Sequence, residues 1–132
     1  MFNVDLQIGA PFSVRAASVA ITSAYINGNV FSMDRHNAIG LEVIYTRGSE
    51  TSLEVRTQVS NDGGATWLQE SAESVSGGTI TKSLAERTYS ATGSYSDLIT
   101  PMRAKLVRIA TKGSSSTTTT GSCAINAYPL WV

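Results

Sequence analysis

Few of these 132 residues could begin reactive chemistry. The single histidine, His36, sits in Met33-Asp34-Arg35-His36-Asn37, a polar turn ahead of an apolar run, and reads as a solvated loop residue. Serines are abundant, but none occupies the strained strand-to-helix elbow that a hydrolase nucleophile needs. Glu42, Glu54 and Glu70 could line one face of a sheet, and glycoside hydrolysis uses paired carboxylates. Their alternation with apolar neighbours reads instead as a solvated outer face. Cys123, the only cysteine, can make neither an intrachain disulfide nor a multi-cysteine zinc site, and reads as a small buried hydrophobe. No phosphate loop, metal-ligand cluster or dinucleotide fingerprint is present. The expectation is a non-enzymatic chain with no catalytic residue, metal or cofactor.

One spacing is specific: Ser60-Asn61-Asp62-Gly63-Gly64-Ala65-Thr66-Trp67. A short hydroxyl or carboxylate can accept hydrogen bonds from turn amides, glycine supplies positive φ, and the tryptophan can fold back onto the core. Ser60, Asp62, Gly64, Thr66 and Trp67 are therefore read as a structural turn, with a sugar or calcium contact at Asp62 as the lesser alternative. The pattern S-x-D-x-G-x-T-W resembles the Asp-box hairpins of sialidases and other β-propellers. A propeller needs several blades of about 40 residues, and only one copy occurs here.

The elements that would position these residues read as strands. Thr51 to Ser60 alternates Leu53, Val55, Thr57 and Val59 with Glu54, Arg56, Gln58 and Ser60, the period of a half-buried antiparallel strand. Ala38 to Thr46 places Leu41, Val43 and Tyr45 on one face, and Arg47-Gly48-Ser49-Glu50 joins the two segments as a β-hairpin turn. With Thr66 to Glu70 as a third strand, the region reads as a meander. Phe12 to Ile21 and Val30 to Met33 are weaker strands around an Asn27-Gly28-Asn29 turn. Met102 to Ala110 fits a helix face as well as strand faces and is read as a strand by context. Lys112 to Thr120 is a polar loop or sheet edge, and Ser122 to Val132 closes with Cys123, Ile125 and Ala127 in alternation. The fold class expected is all-β, an antiparallel β-sandwich or jelly-roll-like barrel. One domain spans 1–132, with 1–11 as an N-terminal arm and 70–101 as an extended excursion or short edge strands.

Composition limits the partners. Ten Lys and Arg balance ten Asp and Glu, and charged residues make up only 15% of the chain. That is below the usual share of about 25%. Nothing electrostatic therefore favours nucleic acid or an anionic membrane. Eighteen Ser and fifteen Thr supply the surface polarity instead. The first cation is Arg15, and no apolar run approaches the roughly 18 residues of a membrane span, so a cytoplasmically made chain with no membrane role is expected. Aromatic and apolar residues in irregular or terminal segments are the candidates for an interface: Phe2, Phe12, Tyr89, Tyr95, Tyr128, Leu130 and Trp131. For Trp67 a core position is expected. A carbohydrate-binding β-sandwich using Trp67, Tyr89, Tyr95 or Trp131 as stacking platforms is an alternative.

The stretch from Phe31 to Gln69 resembles small structural proteins of tailed bacteriophages, through Asp34, Tyr45-Thr46-Arg47-Gly48, Thr51-Ser52 and Ser60 to Trp67. What the resemblance implies is a virion component on the capsid surface, a decoration or cement protein that is commonly β-rich and trimeric. Its partner would be the major capsid protein, and it would self-associate as a homo-oligomer, with a trimer favoured. A tail, baseplate or head-fibre part is the alternative of the same class.

Overall fold

A computed structural model of the chain describes residues 11–33, 35–99, 104–114 and 120–132. Twelve strands appear among them: β1 Phe12–Arg15, β2 Ile26–Asn27, β3 Phe31–Ser32, β4 Ala38–Thr46, β5 Leu53–Ser60, β6 Leu68–Gln69, β7 Ser71–Ser76, β8 Thr79–Leu84, β9 Arg87–Tyr89, β10 Gly93–Ile99, β11 Leu106–Gly113 and β12 Ser122–Leu130. The first sheet runs β1-β12-β4-β10 and the second β2-β11-β5-β6, with β3 also on β11 and β9 also on β5. Every pairing is antiparallel, and neither sheet closes into a barrel. The fold is all-β and sandwich-like. Leu41, Val43 and Tyr45 of β4 and Cys123, Ile125 and Ala127 of β12 share one buried cluster with Leu53 and Val55 of β5 and Val107 and Ile109 of β11.

The expected hairpin between β4 and β5 does not form, and with it the three-strand meander is lost. β4 pairs with β12 and β10, and β5 with β11, β6 and β9, so residues 47–52 carry the chain from one sheet to the other. Both strands have one face of large apolar side chains. A hairpin would set those faces side by side in one sheet, whereas an arch turns each against the other and buries both. At the corner Glu50 is fully buried, and its Oε1 accepts a 2.8 Å hydrogen bond from the Tyr45 hydroxyl. The Arg47 Nε donates to the Glu50 carbonyl at 3.0 Å. Gly48 and Gly121 meet beside this carboxylate. A Cβ on Gly121 would overlap Glu50 Oε1 and approach the Thr46 carbonyl oxygen to 2.6 Å.

Several expected strands are shorter than their patterns. β1 stops at Arg15, where the register with β12 shifts and the guanidinium turns inward. It donates to Thr111 Oγ1 at 3.0 Å, to the Cys123 carbonyl at 2.6 Å and to the Ala20 carbonyl at 3.0 Å, tying β1 to both sheets and to the loop behind it. Residues 16–20 are exposed, which ends the strand expected to reach Ile21. Only Leu68 and Gln69 of the Thr66–Glu70 segment pair as a strand, against Val59 and Gln58. β11 resolves the helix-or-strand ambiguity of its segment: Val107, Ile109 and Thr111 face inward, Leu106, Arg108 and Lys112 outward. Met102 and Arg103, like residues 115–119 of the Ser/Thr run, lie outside the described residues.

The stretch 70–101 divides in two. Among the described residues β7 and β8 pair only with each other, while β9 and β10 return as edge strands of the second and first sheets. Tyr89 is buried and hydrogen-bonds the Asp97 carboxylate, and the Tyr89 and Tyr95 rings lie 4.8 Å apart. Together these residues seal one side of the sandwich.

Candidate interaction surface

Local hydrogen bonding builds the Ser60–Trp67 turn as its residue types demand. The Ser60 hydroxyl donates to Asp62 Oδ1 at 2.8 Å and accepts from the Gly64 amide at 2.9 Å, and Asp62 Oδ1 also accepts from the Thr66 amide at 2.9 Å. Gly63 and Gly64 hold φ of 76° and 94°, a region open to glycine and strained for most other residues. The Thr66 amide, then the Thr66 and Ser60 hydroxyls, stabilise the carboxylate and lower the Asp62 pKa to about 2. Both oxygen-bearing side chains are engaged in shaping the turn, which is a fold element. Trp67 departs from its expected core position. It is half-buried on the outside of the second sheet, with the Arg108 guanidinium carbon 4.3 Å from the ring centroid. The core between the sheets is already filled by alternating aliphatic side chains, so the indole is left to cover the outer surface.

That outer surface of the second sheet is largely occupied by contacts within the chain. Tyr25 lies under Arg56, at 3.9 Å from ring centroid to guanidinium carbon, and its hydroxyl donates to Glu86 Oε1 at 2.6 Å. Burial, reinforced by that bond to Glu86, raises the Tyr25 pKa and keeps the phenol neutral. Lys112 pairs with Glu54 at 3.3 Å, Arg87 with Glu70 at 2.9 Å, and Arg108 Nε donates to Gln58 Oε1 at 2.7 Å. Glu42, expected on one face with Glu54 and Glu70, lies on the other sheet. The three carboxylates are not assembled into a site.

The first sheet's outer face is different. Its register sets three rows across β12, β4 and β10: Ala124–Ile44–Ser94, Asn126–Glu42–Ser96 and Tyr128–Gly40–Leu98. Glu42 is the one charged residue in these rows, and its Oε1 accepts a 2.9 Å hydrogen bond from Asn126 Nδ2. Ile44 is 43% exposed and Leu98 52%. Gly40 leaves a hollow of about 270 Å³ lined by Glu42, Ser94, Ser96 and Tyr128. The solvated side of an antiparallel sheet ordinarily alternates to polar residues, so apolar side chains on this side are the feature that needs an explanation.

The expected interface residues are thus dispersed. Tyr128 and Leu130 project on this outer face, half-buried. Phe12 packs against the core with its ring 5.4 Å from Phe31, and Tyr89 and Tyr95 close the side of the sandwich. Trp131 is 50% exposed beyond β12, 6.4 Å from the His36 ring, and Asn37 clasps the Val132 amide and carbonyl. Phe2 lies outside the described residues. Sequence reasoning passed over Ile44, Leu98 and Gly40. Their signal was Ile44 itself, an isoleucine between Glu42 and Thr46 on the side of the Ala38–Thr46 alternation opposite Leu41, Val43 and Tyr45. Among the described residues no group of three His, Cys, Asp or Glu could hold a metal ion, and no helix is long and apolar enough to cross a membrane. No protein-family model matches the chain, and no curated protein matches it.

Proposed function

We propose that this chain is a non-enzymatic virion structural protein, a capsid decoration or cement protein that binds the assembled shell of the major capsid protein. The observation that carries the reading is the contrast between the two outer faces. One is satisfied by ion pairs and cation–ring contacts, and the other exposes Ile44 and Leu98, with Tyr128 and Leu130 half-buried beside them, around a single carboxylate. The resemblance of Phe31 to Gln69 to small phage structural proteins supports the same assignment. Such a part works by mass action: it binds the assembled shell and not the dispersed subunits, and so stabilises the shell. Homo-oligomerisation, with a trimer favoured, belongs to this reading.

Two measurements test it. Light scattering behind a sizing column gives the native mass across a concentration series, with a concentration-independent trimer expected. Co-sedimentation with capsids lacking the protein is then expected to saturate at a fixed stoichiometry and to raise the temperature of capsid disruption. No co-sedimentation at saturating protein overturns the reading. The hollow over Gly40 favours one second reading, carbohydrate binding, because a tyrosine ring beside an oriented carboxylate and two serine hydroxyls suits a neutral sugar. Binding on a glycan array that Tyr128→Ala abolishes would select it.

A further inference from the structure

The β7–β8 hairpin forms a two-stranded sheet of its own, anchored at its base where the Ala85 amide donates to the Glu70 carbonyl at 2.9 Å. Two-stranded sheets are marginal in water unless one face is covered. The register puts Ser71 opposite Leu84, Glu73 opposite Lys82 and Val75 opposite Ile80, and these six residues share one face. Val75 is 66% exposed, Ile80 60% and Leu84 68%, while Lys82 pairs with Glu73 at 3.4 Å between them. The opposite face carries Ser74, Ser76, Thr79, Thr81 and Ser83, hydroxyls that suit water. One side of the hairpin is therefore built for contact and the other for solvent.

We propose that this face pairs with the same face of a second copy of the chain, about a two-fold axis parallel to the strands. The charge pattern selects both the occupant and the axis. With that axis β7 of one copy lies over β8 of the other, Glu73 meets Lys82 in both directions, and Val75 meets Ile80. A two-fold axis across the strands would stack Glu73 on Glu73 and Lys82 on Lys82, and the like charges would oppose it. Six residues of strand span only about 20 Å, so the buried area falls short of the roughly 1,200 Å² of a stable interface. The pairing in solution is accordingly weak, joins copies of different trimers because a two-fold contact cannot close a three-fold ring, and becomes effective where copies are held side by side. This last consequence rests on the capsid-binding reading; the pairing itself does not.

The test is a register-specific disulfide. Chains carrying Val75→Cys mixed with chains carrying Ile80→Cys are expected to cross-link at least tenfold faster than Val75→Cys chains alone. Adding Lys82→Glu to both partners is expected to slow the mixed reaction at least tenfold, and adding the double exchange Glu73→Lys with Lys82→Glu to restore it. A rate indifferent to these charges, or equal for matched and unmatched cysteines, overturns the pairing. On capsids, Lys82→Glu chains are expected to bind as the parent does but to lose cross-links between neighbours. Failure of every chain to bind capsids would sink the capsid reading while leaving the solution cross-linking result to decide the pairing.

Discussion

Asp62 is held as a carboxylate by the Thr66 amide and by two hydroxyls, so its folded pKa of about 2 lies below the roughly 3.9 of an unfolded aspartate. The unfolded chain binds the proton more readily. The stabilisation is complete above about pH 4 and disappears as pH falls to about 2. The Gly64 and Thr66 amide resonances are expected to titrate near pH 2, and Asp62→Asn to flatten the dependence of thermal midpoint on pH between 4 and 2. At the arch the decisive groups are buried. Tyr45→Phe removes the hydroxyl that donates to Glu50 and is expected to cost about 1–3 kcal/mol in urea unfolding, because a buried carboxylate loses a donor. Gly121→Ala drives a methyl group against Glu50 Oε1 and is expected to cost a similar amount, about 1–3 kcal/mol, by overpacking.

At the scale of elements, alternation in the sequence was enough to find β4, β5 and β12, context alone made a strand of the β11 segment, and the hydroxyl-glycine-tryptophan spacing was enough to find the turn before β6. Pairing was not legible for β4 and β5. A strand's period states that one face is buried but not which strand lies beside it, and a short polar turn with glycine serves an arch as well as a hairpin. Glu50 and Arg15 were unreadable for a related reason. A charged residue becomes buried only where the fold turns donors or carbonyls onto it, and here those come from Tyr45, five residues back across the arch, for one and from the distant Cys123 and Thr111 for the other. Trp67 was misplaced because its partner, Arg108, is supplied by a strand some 40 residues away. Among the described residues, none of the β7–β8 hairpin belongs to the core cluster. Replacing residues 71–84 with a two-residue glycine-serine link is expected to leave unfolding free energy within about 1 kcal/mol of the parent, since Glu70 and Ala85 are already hydrogen-bonded neighbours. A loss much greater than that in urea titration would mean that the hairpin supports the sandwich.

Across the whole molecule the two sheets divide the labour. The second sheet's outer side is filled by Tyr25, Trp67 and their cations, and adding a partner there would require breaking contacts already made. The first sheet's outer side presents Ile44 and Leu98, exposed apolar side chains that lose nothing by being covered. The asymmetry gives a prediction that separates binding from folding. Ile44→Lys with Leu98→Lys places two cations on exposed positions of that side, where surface substitutions usually change stability by less than about 0.5 kcal/mol each. The thermal midpoint should stay near that of the parent, while the midpoint for capsid co-sedimentation should shift at least tenfold to higher protein concentration. The matching change on the other side, Gln58→Lys, adds charge where Arg108 already lies and should leave capsid binding within twofold. If Gln58→Lys weakens binding and the double lysine variant does not, the contact runs through the second sheet, and Ile44 and Leu98 take no part in it.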